Sequence, residues 1–372
     1  MTRRGFGAAA LGIGGTLALG TTARAEDAAA ALAAMKGHVF SKGPHGETPA
    51  AASEVALSED ELAKIKAMQP TAAICMHYGG NDWSRAQIAG LRKQFSAMGI
   101  KVIAVTDAGF KSARQVSDIE TVLARHPSII VSIPVDPVAT APAYQEAAEQ
   151  GVKLVFMDNV PNGMTAGHGY VSVVSADNYG NGVVSALLLV EALKGKGTVG
   201  LVYHAANFFV THQRYVAVKK TLAGYPGIKV VAEQGIGGPD FSSEADRVTS
   251  AMLTSHPTLD GVWAVWDVPA EGVVSAARTA GRNNLVVTNC DLGENVAIAM
   301  AQRQFIMGIG SQRPFDQGTT EAKLAGYGLL GKAAPPYVAL PALPVTRANL
   351  LDAWQKVYHG PAPKLLQEAM KA

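Results

Sequence analysis

From residue 71 onward, short continuous apolar runs alternate with longer stretches in which apolar residues recur every three to four positions. The runs at 72–76, 102–106, 129–133, 153–157, 199–203, 229–232, 262–265, 285–288 and 305–309 read as strands. Between them, Ile88, Leu91, Phe95 and Met98 fall on one face of a helix, and Val116, Ile119 and Leu123 on one face of the next. Strands that are apolar throughout, separated by helices, predict parallel sheets covered on both faces. One such set is followed by a second, so two α/β lobes are expected. Ser175–Asn178 lies between the sets, where Asp177 can cap the helix that carries Leu187 to Leu193. Ligands of such sheets sit beyond the carboxyl ends of the strands, so the loops after each apolar run carry the candidate chemistry.

Residues 26–70 break the pattern. They are Ala-rich, then spotted with Gly, Pro and His, and show no sustained period. A tether or loosely packed extension is expected there, interrupted by the capping box Ser58-Glu59-Asp60-Glu61, which predicts a short helix reaching about Met68. Ahead of it stand Arg3-Arg4, an apolar run from Ala8 to Leu19 and the small-residue site Ala23-Arg24-Ala25. That layout predicts a cleavable export signal over 1–25, a mature chain beginning near Glu26 and work in the periplasm. The paired arginines favour the twin-arginine route; an ordinary signal with two adjacent arginines is the alternative.

Composition narrows the function classes. Of the 372 residues, about 345 remain after cleavage, enough for two lobes of ordinary size. The net charge of +2, with no basic stripe carrying interleaved aromatics, argues against nucleic acid as a partner. No further apolar stretch approaches the ~18 residues needed to cross a bilayer, so the mature part is expected to be soluble. Cys75 and Cys290 end two of the strand runs. A disulfide is open to them in an oxidising compartment, and two buried free thiols are the expected state.

The strand-end loops combine flat apolar groups with fixed polar ones. They hold Asn81 and Trp83, Asp158, Arg214, Phe241, Trp266, Asp291 and Gln312, with His77, Asn159 and Phe208 as secondary candidates. Rings supply apolar area, while Asp, Asn, Gln and Arg present acceptors and donors to hydroxyls, which is equipment for a small polyhydroxylated molecule. Each has a plainer alternative. Asp158 and Asp291 can simply cap the helices that follow, Arg214 can lie on a solvated helix face, and Trp83 and Trp266 can be core residues.

These loops, in this order, resemble the type I periplasmic solute-binding proteins of ABC importers, the ribose-binding-like group, over roughly residues 72–346. The matching motifs are Asn81-Asp82-Trp83-Ser84, Asp158 after the fourth strand, Arg214 to Val218, Asp240-Phe241, Trp266-Asp267, Asp291 in Thr288-Asn289-Cys290-Asp291, and Gln312 to Gly318. The resemblance implies two Rossmann-like lobes with parallel sheets joined by a three-crossover hinge. Lobe one would hold 71–175 plus 311–341, and lobe two 176–310 plus 342–372. It also implies a monomer that closes on a solute and presents it to a membrane permease. Three positions depart from simple-sugar binders: Asn159 stands where an Arg is usual, Trp266 where Asn is common, and Ser84 where a second aromatic is expected. Ribose itself is therefore not the expected ligand.

Other chemistries find little support. Gly235-Ile236-Gly237-Gly238 opens no dinucleotide-binding turn, so no cofactor is expected. His77, His204 and His212 lack metal-ligand spacing, and no nucleophile elbow or catalytic constellation occurs, so neither a metal site nor an enzyme is expected. A transcription regulator built on the same core would need an N-terminal helix-turn-helix, where this chain has an export signal. An exported α/β enzyme and a sensory protein that presents its ligand to a receptor stay as rival readings.

Overall fold

The computed structural model describes residues 25–206 and 208–371. The export signal expected over 1–25 lies outside the described residues apart from Ala25, and so does Asn207 of the strand-end loops. After two helices, α1 (Ala25–Ala34) and α2 (Glu59–Met68), strands and helices alternate through β1 (Thr71–Met76), α3 (Asp82–Ala97), β2 (Lys101–Asp107), α4 (Ser112–Leu123), β3 (Ile129–Ser132), α5 (Ala141–Glu149) and β4 (Lys153–Met157). A small ribbon, β5 (Thr165–Ala166) with β6 (Gly169–Tyr170), precedes β7 (Ser172–Ala176). The second series is α6 (Asn178–Ala192), β8 (Gly197–His204), α7 (Phe209–Ala223), β9 (Ile228–Ile236), α8 (Phe241–Ser255), β10 (Gly261–Ala264), α9 (Asp267–Thr279), β11 (Val286–Cys290), α10 (Glu294–Ala301) and β12 (Ile306–Ser311). The chain ends through α11 (Pro314–Leu330), β13 (Tyr337–Leu340), β14 (Leu343–Val345), α12 (Leu350–Tyr358) and α13 (Lys364–Lys371).

Two six-stranded sheets result, with orders β13-β7-β4-β3-β1-β2 and β14-β12-β11-β10-β8-β9. Their first five strands follow the same winding, and every pairing in both is parallel except that of β14 with β12. The nine expected strands are all present. Four short ones escape a search for long apolar runs: the ribbon strands β5 and β6, and the edge strands β13 and β14, which Pro335, Pro336 and Pro341 hem in. β7 also escapes it, because Ser172 and Ser175 interrupt its apolar run although every residue in it is buried. β9 runs well past its expected end: it is an edge strand, and the polar Glu233 and Gln234 that end its apolar run are half-buried and exposed, respectively.

Each sheet is packed on both faces, as continuous apolar strands require. In the first, Ile65, Leu91, Phe95 and Leu324 cover one face while Ile119, Tyr144 and Ala147 cover the other. The second is built round the fully buried Trp263, whose Nε1 donates to Ser185 Oγ at 2.9 Å. Cys75 and Cys290 are buried free thiols, one in each sheet, and burial pushes both up to about 12.

The expectation of a loosely packed extension before residue 70 is corrected. Ala28 and Met35 are buried in the second sheet's core, with α1 lying against α6. The Asp177 carboxylate caps α6 by accepting from Gly180 N, and it also accepts from Phe40 N at 2.9 Å, Ser41 N at 2.9 Å and Ser41 Oγ at 2.8 Å. Farther along, Ala50 bridges in parallel to Val338 on edge strand β13, and Val55 joins the first sheet's core. The extension is thus a strap across the first crossover that also covers a sheet edge. Beyond α1 the lack of period reflects recognition by the Asp177 carboxylate, the Gln213 amide and one sheet edge. The capping box at Ser58 is present as expected.

Candidate functional site

The two sheets face one another across their strand ends, and several contacts hold the lobes together. Asp82, at the start of α3, accepts from Glu294 N at the start of α10 at 2.7 Å. Phe208 and Val210, from the second lobe, pack into the first lobe's core. Phe110, from the first lobe, contacts Phe241 of the second, with ring centroids 5.3 Å apart. Between the lobes lies a cavity of about 60 Å³.

Seven of the eight expected site residues line this cavity: Asn81, Trp83, Asp158, Arg214, Trp266, Asp291 and Gln312. Phe241 does not. It is buried behind Trp266, 4.9 Å between ring centroids, and supports the wall from outside. Asn159 likewise turns away, its Nδ2 donating to Pro134 O at 3.2 Å. Asn81 caps α3 by accepting from Ser84 N while also lining the cavity.

Asp158 and Asp291 occupy matching places in the two lobes. Each follows a strand, β4 or β11, and each backbone N–H extends the sheet by donating to the neighbouring strand, to Val174 O and Gly310 O respectively. Each then turns into the left-handed region, with φ +56° and +67°. A non-glycine residue there costs free energy, and such residues concentrate at binding sites. Neither caps a helix: the following helices are capped elsewhere or begin later.

A continuous polar network joins the two aspartates. Asp158 accepts from Ser175 Oγ at 2.5 Å, Ser175 Oγ accepts from Asn178 Nδ2 at 3.1 Å, and Asn178 Oδ1 accepts from Arg214 Nε at 2.9 Å. Arg214 then grips Asp291 with Nη1 at 2.9 Å and Nη2 at 3.4 Å, and Gln312 Nε2 donates to Asp291 Oδ1 at 2.8 Å. Burial by itself would lower the Arg214 pKa, but Asp291 and weaker neighbouring charges raise it above its usual value, so the guanidinium stays charged. For Asp158 burial wins: despite Ser175 and Arg214, the carboxyl is raised to about 6.

Beside this network stands an aromatic cluster. His77 stacks on Phe208 with centroids 5.7 Å apart, Phe110 meets His77 edge-on at 4.7 Å, and His204 meets Trp266 at 5.4 Å. Burial, with His204 nearby, lowers His77 to about 3, and burial lowers His204 to about 4, so both rings are neutral. His77 Nδ1, Trp83 Nε1 and Gln312 Oε1 are buried with no partner among the described residues. Buried polar atoms are normally paired, so each of these residues carries unmet hydrogen-bonding capacity beside the cavity. Among the described residues no cluster of three metal-ligating side chains occurs.

The cavity also includes Tyr78, Phe110, Ile133, His204, Val210 and Thr211, which the sequence reading did not select. Phe110 was accessible to it, since Asp107-Ala108-Gly109-Phe110 directly follows the second strand run. Val210 and Thr211 reach the cavity from the first turn of α7, between the candidates Phe208 and Arg214.

A family model described as periplasmic binding protein domain matches residues 72–333. The ribose import binding protein of Bacillus subtilis is 26% identical over 269 residues, covering 68% of this chain and 79% of that protein. An ABC sugar transporter subunit of Rhodobacter sphaeroides superposes with a TM-score of 0.66 at 26% identity, over 74% of this chain and 98% of that one. A periplasmic solute-binding protein of Actinobacillus succinogenes, solved with D-allose, gives 0.69 at 24% identity over 76% and 99%.

Proposed function

Because the chain belongs to the periplasmic binding protein family, we propose that it captures a small polyhydroxylated solute, a sugar or sugar alcohol, for an ABC importer. The observation that carries this reading is the pair of left-handed aspartates, Asp158 and Asp291, brought from opposite lobes into one cavity with Arg214 and Gln312. Carboxylates accept from adjacent hydroxyls, and the Trp83 and Trp266 rings cover the apolar face of a ring or chain. A solute touching both lobes binds only when they are closed, so it shifts the population toward closure by its differential contacts. The closed monomer is then the form offered to the permease. The D-allose bound in one structural neighbour and the ribose in the name of one relative support the class without fixing the member.

Calorimetry against pentoses, hexoses and sugar alcohols tests the reading. Saturable heat from at least one class is the expected result, and silence from a folded sample across all three would remove it.

The raised Asp158 pKa sets a pH dependence. Hydroxyl donors favour the ionised carboxylate, so binding releases a proton and strengthens as pH rises from 5 toward 7, by up to about tenfold per unit below pH 6. His77 and His204 are neutral across that window and contribute nothing to it. For the free protein the sign is opposite. With its pKa raised from 3.8, Asp158 contributes stability that is fully present below 3.8 and is lost as pH rises through about 6. Asp158→Asn is expected to flatten the binding profile; equal affinity of the parent at pH 5 and 7 would contradict the assignment.

The leader is proposed to direct the chain to the periplasm by the twin-arginine route. Arg3→Lys with Arg4→Lys is expected to leave precursor in the cytoplasm, as read by fractionation and immunoblotting, and normal export of that variant would refute the route alone.

A further inference from the structure

We propose that Phe110 is a specificity-determining residue that reserves one end of the cleft for an apolar substituent. The preferred solute is then a polyol bearing a deoxy carbon or a methyl group at that end, rather than a fully hydroxylated sugar. The inference rests on the solute-capture reading above and narrows its substrate class.

The loop carrying Phe110 is held at both ends. Ala108 N donates to Met76 O at 3.0 Å and Phe110 N to His77 O at 2.7 Å, so the loop is tied to the end of β1, while Asp107 Oδ1 accepts from Gly109 N at 2.9 Å. Gly109 and Phe110 are both left-handed, at φ +56° and +58°. For Gly109 this costs little, but a bulky aromatic residue is rarely found there. The structure therefore maintains an unfavourable backbone to aim this ring into the space between the lobes.

The ring bridges the lobes. Its centroid lies 5.3 Å from Tyr78 on its own side and 5.3 Å, 6.2 Å and 6.3 Å from Phe241, Phe208 and His204 on the other. Phe110 accordingly packs against the cores of both lobes. The cavity has two unlike walls. One is the hydrogen-bonded network from Asp158 through Arg214 to Gln312; the other is the aromatic cluster with Phe110 at its centre and neutral His77 and His204 within it.

Phe110 itself offers no polar atom to this wall, whose side-chain polar groups are the imidazoles of His77 and His204, the Tyr78 hydroxyl and the Trp266 indole. His204 Nδ1 is already engaged with Thr211 Oγ1 at 3.1 Å, and His77 Nδ1 is buried without a partner among the described residues. A solute hydroxylated at every carbon would bury one or more hydroxyls against Phe110 without a partner, and an unpaired buried hydroxyl weakens binding. A methyl or methylene at the same place gains from leaving water. Ile133 and Val210, the aliphatic residues of the cavity wall, suit the same substituent.

The test measures affinities of the full chain, by calorimetry, for D-allose, D-ribose and myo-inositol and for mono-deoxy and mono-O-methyl derivatives of each. The parent protein is expected to bind at least one derivative roughly three- to tenfold tighter than its fully hydroxylated counterpart. Phe110→Ala should bring that ratio to within about twofold. Phe110→Tyr, which keeps the ring and adds a hydroxyl, should move the preference toward the fully hydroxylated member, and circular dichroism checks that both variants are folded. If the parent protein prefers the fully hydroxylated member of every pair, or if neither variant changes the ratio, the role of Phe110 is overturned while solute capture stands. If the folded parent binds no member of the panel, the capture reading falls and this inference falls with it.

Discussion

Arg214→Met is expected to lower the free energy of unfolding by about 3–5 kcal/mol, the range for removing one partner of a buried ion pair. The residue is 3% exposed and its guanidinium makes four hydrogen bonds at once, to Asn178 Oδ1, Val265 O and both oxygens of Asp291. Methionine fills much of the volume, so packing is largely kept while the electrostatics are removed. Asp291, itself buried, would retain Gln312 Nε2 as its side-chain donor, and Asn178 Oδ1 and Val265 O would lose theirs. The same change should weaken solute binding by more than about a hundredfold, since it unfastens the carboxylate that the second lobe offers. Arg214→Lys keeps a charge but not the planar fork, and should fall between the two. Urea denaturation and calorimetry measure the two effects. A methionine variant within about 1 kcal/mol of the parent, with normal affinity, would show that the guanidinium does not organise the site.

Gly318→Ala is expected to destabilise the fold by about 2–3 kcal/mol through overpacking. A Cβ at Gly318 on α11 would be driven into the backbone oxygen of Gln87 on α3, and a Cβ at Gly90 on α3 into that of Phe315 on α11. Both obstacles are backbone, so relief requires the helices to separate. Alanine's higher helix propensity opposes the effect by only about 1 kcal/mol. Affinity should fall as well. α3 begins beside Trp83 and α11 directly after Gln312, so parting the helices moves two cavity walls. Denaturant midpoints and calorimetry read both consequences, and a Gly318→Ala variant as stable as the parent would show that the close crossing is not required.

The legible part of the fold was the part governed by local period. Nine strand runs, the helix faces at Leu91 and Ile119, and the caps at Ser58 and Asp177 were all readable, because a strand buried on both faces or a helix buried on one writes its environment into consecutive residues. β13 and β14 were not, since three or four residues between prolines carry too little pattern. The packed strap leaves no local signature, because Ser41 is held by a carboxylate 136 residues away, which no local pattern records.

The site divides in the same way. Its candidates could be named from position after strand runs, and seven of eight do share one cavity. Phe241 shows the limit: an aromatic at a helix start has the same sequence signature whether its ring faces a ligand or stands behind Trp266. Phe110 shows the converse, since its importance comes from rings contributed by His204, Phe208 and Phe241, about a hundred residues away and on the other lobe.

Chain chemistry alone settled the class of fold, two parallel sheets covered by helices, and the kind of groups placed at the strand ends, because periodicity and side-chain type are local properties. Which of those groups meet, which turn away, and how burial divides the charges were decided only in three dimensions. Arg214 stays ionised because Asp291 lies beside it, while Asp158 is raised to about 6 because the same burial reaches it with weaker compensation. Desolvation and Coulomb attraction depend on distances between residues far apart in the chain, which the order of residues does not contain.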